Sequence, residues 1–130
     1  MIAIVCGGRK YLDRDAAFEA LDAAHSLFDL THVIEGGQRT YDDERRLIGG
    51  GDWWANRWAA ARGIRCSTER ADWNRWGRAA GPIRNGTMLR KFNPDICLGL
   101  PGGDGTLDML DQAERAGVLP VKIGPWPKSA

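Results

Sequence analysis

Short apolar runs rich in β-branched residues alternate with longer helical patterns along the chain. Each run has the length and composition of a buried strand, and glycines closely follow several of them. The predicted strands cover residues 2–6, 31–35, 64–68, 95–100 and 119–123. This alternation is typical of neighbouring strands that are joined by helices.

Four helices are predicted between these runs. Apolar residues at helical spacing follow Asp13, a residue type favoured at helix N-caps, and continue to about Phe28. The other helices are expected over residues 52–63, 80–92 and 105–117. On the last of them, we expect the buried face to hold Leu107, Leu110 and Ala113.

This order of elements predicts an α/β fold, because parallel strands need crossover connections that helices supply. We expect a Rossmann-like, three-layer architecture with about five parallel strands flanked by helices. The 130 residues suffice for one core, so residues 1–130 are interpreted as a single domain.

Charge and apolar content narrow the choice of partners. The formal net charge is +1, which gives no general attraction toward nucleic acid or an anionic membrane. No apolar run approaches the roughly 18 residues of a membrane helix, and no basic leader precedes the first strand. We therefore expect a cytoplasmic protein without nucleic-acid or membrane partners.

The cysteines and histidines do not form a metal-binding pattern. Cys6, Cys66 and Cys97 are widely separated, which favours buried reduced thiols over a disulfide framework. His25 and His32 stand seven residues apart without further ligands nearby. We expect neither a metal nor another cofactor.

Glycine pairs follow three of the predicted strands. Ligands of open α/β sheets bind beyond the carboxyl ends of the strands, near the point where strand order reverses. Three segments are therefore expected to converge on one rim: Gly7-Gly8-Arg9, Glu35-Gly36-Gly37 and Pro101-Gly102-Gly103. Lys10 and Tyr11 are further candidates for the same mouth.

The loop that opens the last helix suits a phosphate. Gly102, Gly103 and Gly105 allow close backbone approach, the helix start adds partial positive charge, and the Thr106 hydroxyl is either a ligand or a cap. Asp104 would repel a phosphate, so we expect it to face solvent, another ligand group or the helix start. The alternative is that these glycines only turn a tight corner.

Arginines are the best candidates for further contact with an anion. Arg9 offers a bidentate guanidinium, and Arg84 with Asn85 lies near the start of a helix whose entry Pro82 fixes. Asp52 or Glu35 is a candidate for a ribose hydroxyl. Each arginine is alternatively an ordinary surface residue.

Six tryptophans are many for this length. Trp54 and Trp58 share one helix face, and Trp73 and Trp76 precede Gly77. Such residues usually belong to a core or a subunit interface, and less often stack on a base. A homodimer is expected on this ground.

Three segments, "GGRKYLD", "GRAAGPIRNGTML" and "LPGGDGTLDML", occur in the order found in a known family. The chain resembles the small SLOG-superfamily proteins related to YspA and cpYpsA, frequent in bacteria and phages, over residues 1–121. More distantly it resembles the LONELY GUY phosphoribohydrolases. The resemblance implies a Rossmann-like fold, a nucleotide or nucleotide-derived ligand, and often a dimer.

The hydrolase motifs are matched only in part. Their loop reads P-G-G-x-G-T-x-x-E, and Met109 occupies the glutamate position here. Their R-K-x-x-M helix is matched by Arg84 and Met88, with Asn85 in place of lysine. Asp108 would replace the glutamate only if the helix shifted, so by position Glu35 is the better substitute. Arg84 and Glu35 are thus the catalytic candidates.

The family also joins its second strand to the second helix more directly than this chain does. Residues 38–50 are therefore interpreted as an insertion at the ligand rim, either a solvated loop or a lid. The leading functional hypothesis is a sensor, carrier or sequestering protein for a nucleotide or ribose-phosphate ligand. The alternatives are a nucleoside 5′-monophosphate phosphoribohydrolase and a protein-interaction module.

Overall fold

A computed structural model describes residues 1–128 and confirms the α/β fold. In chain order the elements are β1 (Ile2–Cys6), α1 (Arg14–Phe28), β2 (His32–Glu35), β3 (Thr40–Tyr41), β4 (Leu47–Gly49), α2 (Gly51–Arg62), β5 (Arg65–Thr68), α3 (Trp73–Trp76), a 3₁₀ turn (Gly77–Ala79), α4 (Ala80–Phe92), β6 (Ile96–Gly99), α5 (Asp104–Arg115) and β7 (Leu119–Lys122).

Five strands form one parallel sheet in the order β5-β2-β1-β6-β7. Ala3 of β1 pairs with Val33 of β2 on one side and with Ile96 of β6 on the other. The chain thus builds outward from β1 through β2 to β5, then returns to β6 and continues to β7. Strand order reverses between β1 and β6, which is where such sheets bind ligands.

Helices cover both faces of the sheet. Because successive side chains of a strand face opposite sides, Val5 packs in a cluster with α1 and α2, whereas Ile4 packs in a cluster with α4 and α5. Trp58 is fully buried in the first cluster and Met109 in the second. The predicted three-layer arrangement is confirmed.

The predicted boundaries of α1, α2 and α4 agree with the structure to within one residue. The set of residues predicted to form the buried face of α5 was wrong in part. Leu107 is 44% exposed. The buried stripe is Thr106, Met109, Leu110 and Ala113, at the i, i+3, i+4, i+7 spacing of a core-facing helix. Because the first buried residue, Thr106, is polar, hydrophobicity alone assigns the neighbouring Leu107 to the buried face instead.

The sequence did not predict α3 and the 3₁₀ turn that follows it. The Asp72 carboxylate accepts a hydrogen bond from the Arg75 backbone N–H at 3.2 Å and so caps α3. No residue of α3 is buried. An apolar periodicity therefore does not mark this helix.

The insertion at 38–50 contains a two-stranded hairpin, in which Tyr41 of β3 pairs with Leu47 of β4. The Thr40 hydroxyl donates to the Arg9 carbonyl at 2.6 Å, and the Gly50 N–H donates to the Tyr11 carbonyl at 3.3 Å. These bonds fix the hairpin against the loop after β1. The insertion is thus more ordered than a solvated loop.

Within the described part of the chain, no helix combines the length and apolar character needed to cross a membrane. The three cysteines are free. Cys6 is buried against Cys97, and this contact together with burial raises the pKa of Cys6 well above its ordinary value. Burial also raises the pKa of Cys66, to about 11. The thiols of Cys6 and Cys66 therefore favour the protonated form.

Candidate functional site

A cavity of about 940 Å³ opens at the carboxyl ends of β1, β2 and β6. This volume lies near the upper end of the roughly 300–1,000 Å³ typical of ligand sites, so the cavity has room for more than a phosphate. It is lined by twelve of the predicted site residues, namely Gly7, Gly8, Arg9, Gly36, Asp52, Arg84, Asn85, Gly102, Gly103, Asp104, Gly105 and Thr106.

Three helices begin at this cavity without a side-chain cap. The N-cap residues of α2, α4 and α5 are Gly50, Ala79 and Gly103, and none of them accepts a capping hydrogen bond through a side chain. By contrast, Asp13 and Asp72 cap α1 and α3. The first backbone N–H groups of an uncapped helix lack acceptors within the helix and carry partial positive charge. At α4 the Ala80 N–H already donates to the Gly77 carbonyl of the 3₁₀ turn, and at α2 the Gly51 N–H donates to the Gly8 carbonyl. The start of α5 is therefore the helix end best placed to offer N–H groups to the cavity.

The loop before α5 touches the loop after β1. The Gly8 N–H donates to the Pro101 carbonyl at 2.9 Å. A Cβ atom on Gly102 would lie 2.1 Å from Thr106 Oγ1 and 2.7 Å from the Gly8 nitrogen, so only glycine fits there. A Cβ on Gly105 would meet no atom within 4 Å. Gly102 therefore allows the two loops to pack closely, whereas Gly105 leaves open space at the start of α5.

A second close approach places α2 at the cavity. A Cβ atom on Gly51 would lie 2.3 Å from the Gly7 Cα, and the Gly51 N–H donates to the Gly8 carbonyl at 2.9 Å. The start of α2 consequently rests on the backbone that follows β1. Asp52, the next residue, is only 4% exposed, yet it lines the cavity.

Arg84 and Asp52 meet across Gly36. The Arg84 guanidinium donates through Nη1 to the Gly36 carbonyl, and Asp52 Oδ2 accepts from the Gln38 N–H at 3.1 Å. A Cβ on Gly36 would lie 2.6 Å from Arg84 Nη1 and 2.9 Å from Asp52 Oδ2. The absence of a side chain on Gly36 allows this arginine and this carboxyl group to approach each other.

Burial raises the pKa of Asp52 to about 7, with Arg84 opposing the rise and the charge of Glu35 adding to it. Asp52 can therefore exchange a proton near neutral pH. A carboxyl group with this property inside a cavity suits either a hydrogen bond to a ligand hydroxyl or proton transfer.

Asn85 connects α4 to α5 at the cavity wall. Its Nδ2 donates to Asp108 Oδ2 at 3.0 Å, and Gln112 Nε2 donates to the same oxygen at 2.8 Å. Asp108 itself lines the cavity, while its replacement of the hydrolase glutamate stays a prediction. One of its oxygens is already engaged by two amides.

Glu35 and Gly37 do not line the cavity, and this corrects the position expected for both. The Glu35 carboxylate is fully buried and accepts from Arg39 Nη1 at 2.9 Å, from the Thr68 hydroxyl at 2.5 Å and from the Gly37 N–H at 2.7 Å. Burial alone would raise its pKa, but the bonds from Arg39 and Thr68 outweigh burial and lower it. Gly37 has a φ of 78° and faces Arg70. Arg39, a residue of the insertion, is thus the charged partner that holds the Glu35 carboxylate outside the cavity wall.

Met109 is fully buried in the core cluster beneath the cavity and does not line it. The position that holds a glutamate in the hydrolase motif is here part of the hydrophobic core. Position 109 therefore contributes no carboxyl group to the cavity.

Sequence reasoning did not assign Gln38, Trp73 or Arg78 to the site, although base stacking was the lesser alternative for the tryptophans. It did not assign Cys6, Gly81 or Met88 to the cavity wall either. Trp73 and Arg78 come from α3 and the 3₁₀ turn, which no apolar pattern marks. The signal available for them was Asp72, an N-cap residue type three positions before Arg75.

Four cationic side chains and three carboxyl groups line the cavity: Arg9, Lys10, Arg78 and Arg84, with Asp52, Asp104 and Asp108. Asp104 is exposed at the first position of α5, which fits the expectation that it would face solvent. With Asp52 partly protonated at neutral pH, positive charge exceeds negative charge around the cavity.

The tryptophans divide between core and surface. Trp54 and Trp58 are buried, as predicted for a shared helix face, whereas Trp73 is 42% and Trp76 45% exposed. The first pair therefore belongs to the core of one chain and supplies no subunit interface. The homodimer stays a prediction, which sedimentation velocity would check.

No family model matches the chain. It is 34% identical over 133 residues to the Gene 61 protein of Mycobacterium phage D29, and the match covers 95% of this chain and 97% of that relative. Identity at this level over nearly the whole length of both proteins indicates common descent. The chain therefore belongs to the family of the phage D29 Gene 61 protein.

Proposed function

We propose that the protein binds a nucleotide or nucleotide-derived ligand in the cavity at the carboxyl ends of β1, β2 and β6. The observation that carries the proposal is the uncapped start of α5, open to this cavity at the point where strand order reverses. Helix starts of this kind bind phosphate because free N–H groups and the helix dipole act together. The resemblance to SLOG proteins supports the same ligand class and the same loop.

The remaining groups suit the other parts of such a ligand. Arg9 and Arg84 line the cavity, and we propose that they neutralise phosphate charge. We propose that Asp52 binds a ribose hydroxyl, because a carboxyl group of raised pKa both donates and accepts hydrogen bonds. We propose that the protein holds this ligand as a sensor, carrier or sequestering protein.

Substituting Gly105 tests the phosphate site. Since a side chain at this position meets open space, we expect both Gly105→Asp and Gly105→Asn to fold. The carboxylate of Gly105→Asp repels a phosphate a few ångströms away, so its affinity should fall at least about tenfold below that of the matched Gly105→Asn. Isothermal titration calorimetry with AMP, ADP, ADP-ribose and a cyclic dinucleotide measures this difference.

The proposal fails if none of these ligands binds the unsubstituted protein at millimolar concentration. Such a result would leave the protein-interaction module as the reading to pursue. Equal weakening by Gly105→Asp and Gly105→Asn would show that the ligand does not place its phosphate at α5.

A second candidate function is N-glycosidic hydrolysis of a nucleoside 5′-monophosphate. Asp52 favours it, since a carboxyl group with a pKa of about 7 beside Arg84 suits general acid–base catalysis. Glu35 is excluded from this role by its position outside the cavity wall. Incubation with AMP, followed by chromatography for free adenine, tests the reaction.

For this second candidate, Asp52→Asn should abolish adenine release while AMP binding persists. Release that continues at an unchanged rate in Asp52→Asn would exclude Asp52 as the catalytic group. No release by the unsubstituted protein, together with measurable binding, leaves the binding function alone.

A further inference from the structure

One aromatic ring at the cavity mouth is left without a structural role in the core. Trp73 begins α3, lines the cavity and is 42% exposed. Large exposed aromatic rings in a ligand cavity are a common means of recognising planar groups. Trp76, on the same short helix, is 45% exposed but does not line the cavity.

The position of the Trp73 ring is fixed by its neighbours. The Asp72 cap holds the start of α3, and the ring edge lies over Gly81, where a Cβ atom would be 3.3 Å from the ring. A glycine at position 81 thus lets the ring sit close to the start of α4. The guanidinium of Arg9 is 6.0 Å from the ring centroid, about the outer limit of a cation–π contact.

The cavity therefore has two chemically different regions. The start of α5, with Gly105 and Thr106, offers N–H groups to an anion, whereas Trp73 offers an apolar surface with Arg9 beside it. A volume of about 940 Å³ accommodates a ligand that reaches both. A nucleotide base offers a planar π surface that stacks on an indole, whereas a ribose phosphate offers only C–H groups, which make a weaker contact.

We propose that Trp73 stacks on the aromatic base of the ligand, so that the site selects a base-bearing nucleotide over a sugar phosphate. This inference rests on the proposed function, since the phosphate at α5 sets the position of the ligand. Arg9 lines the cavity beside Trp73, so its guanidinium is the candidate to contact the base edge or a phosphate. The ligand class is thereby narrowed to nucleotides with an intact N-glycosidic bond.

Calorimetric titration with AMP and with ribose 5-phosphate tests the inference, using the unsubstituted protein, Trp73→Ala, Trp73→Phe and Trp76→Ala. Loss of one base–aromatic stack should weaken AMP binding by about five- to 150-fold in Trp73→Ala. Trp73→Phe should retain most of the affinity. Trp76→Ala should match the unsubstituted protein, and ribose 5-phosphate affinity should be the same in all four proteins.

The outcomes separate this inference from the function it rests on. If ribose 5-phosphate binds as tightly as AMP, or if Trp73→Ala leaves the AMP affinity unchanged, the stacking role is overturned and the phosphate site stands. If neither compound binds the unsubstituted protein, the stacking inference is overturned for mononucleotides, and the proposed function fails with it only if ADP, ADP-ribose and the cyclic dinucleotide do not bind either. Equal weakening of both compounds in Trp73→Ala would assign Trp73 to the shape of the cavity and also overturn the stacking role. Circular dichroism confirms that each variant is folded.

Discussion

Asp52 offers a direct test of how the cavity is built. Its carboxyl group is 4% exposed, accepts one hydrogen bond from the Gln38 N–H and lies near Arg84. Burial raises its pKa from the ordinary 3.8 to about 7, so the folded protein favours the protonated acid. Substitution by asparagine removes the titration while keeping the shape of the side chain.

The sign of the effect follows from where protons are bound. Between pH 4 and pH 7 the unfolded chain has lost the Asp52 proton and the folded chain has kept it, so stability falls as pH rises. Each pH unit of this interval is worth about 1.4 kcal/mol, giving a total of about 4 kcal/mol. Above the folded pKa the loss is complete and the dependence on pH ends.

Chemical denaturation in urea at several pH values between 4.5 and 8 measures this contribution. The free energy of unfolding of Asp52→Asn, relative to the unsubstituted protein, should rise with pH across this range and level off near pH 7.5. Comparing the two proteins cancels other titrating groups, including Glu35, whose lowered pKa acts in the opposite direction. Asp104→Asn, which removes an exposed carboxyl group from the same rim, serves as the control.

A difference between the two proteins that stays constant over this pH range would refute the reasoning. It would mean that Asp52 is ionised throughout, with Arg84 and the Gln38 N–H compensating fully for burial. The general acid–base role considered for Asp52 would then lose its physical basis. The proposed hydrogen bond to a ribose hydroxyl would not be affected, because a carboxylate also accepts such a bond.

Three further substitutions test the packing of the glycine loop and the buried ion pair of Glu35. Gly102→Ala should lower the free energy of unfolding by about 1–3 kcal/mol, because its methyl group overlaps Thr106, whereas Gly103→Ala meets no atom within 4 Å and should be close to neutral in thermal denaturation. Glu35→Gln should cost about 3 kcal/mol in urea denaturation at pH 7, because it leaves the buried guanidinium of Arg39 without its charged partner. An unchanged denaturation midpoint would contradict the ion pair.

The sheet and the cavity were predictable because they depend on local signals that agree. Strand runs such as 2–6 and 95–100 are short, apolar and β-branched, and parallel pairing then follows from the intervening helices. Glycines after β1, β2 and β6 mark the strand ends that meet at one rim. Chain order, rather than any long-range contact, sets which loops converge.

The parts that were not predicted depend on which polar partners a side chain finds and on a helix that has no apolar face. Glu35 is the last residue of a strand whose following loop lines the cavity. Hydrogen bonds from Arg39 and Thr68 nevertheless keep its side chain buried and out of the cavity wall. The helix α3 buries no side chain, so its capping by Asp72 leaves only a weak local signal. Polar partner choice and short capped helices require the tertiary structure because no periodicity encodes them.

The carboxyl groups of the cavity differ in what they can do, and this difference favours binding over hydrolysis. Asp104 is exposed, and Asp108 is held by Asn85 and Gln112. Asp52 alone among the described residues combines burial in the cavity wall with a pKa near neutrality. Cleavage of a glycosidic bond commonly uses two carboxyl groups, an acid and a nucleophile or base. Because Met109 belongs to the core, Asp52 is the carboxyl group of the cavity wall whose pKa suits proton transfer, whereas ligand binding requires of it only one hydrogen bond.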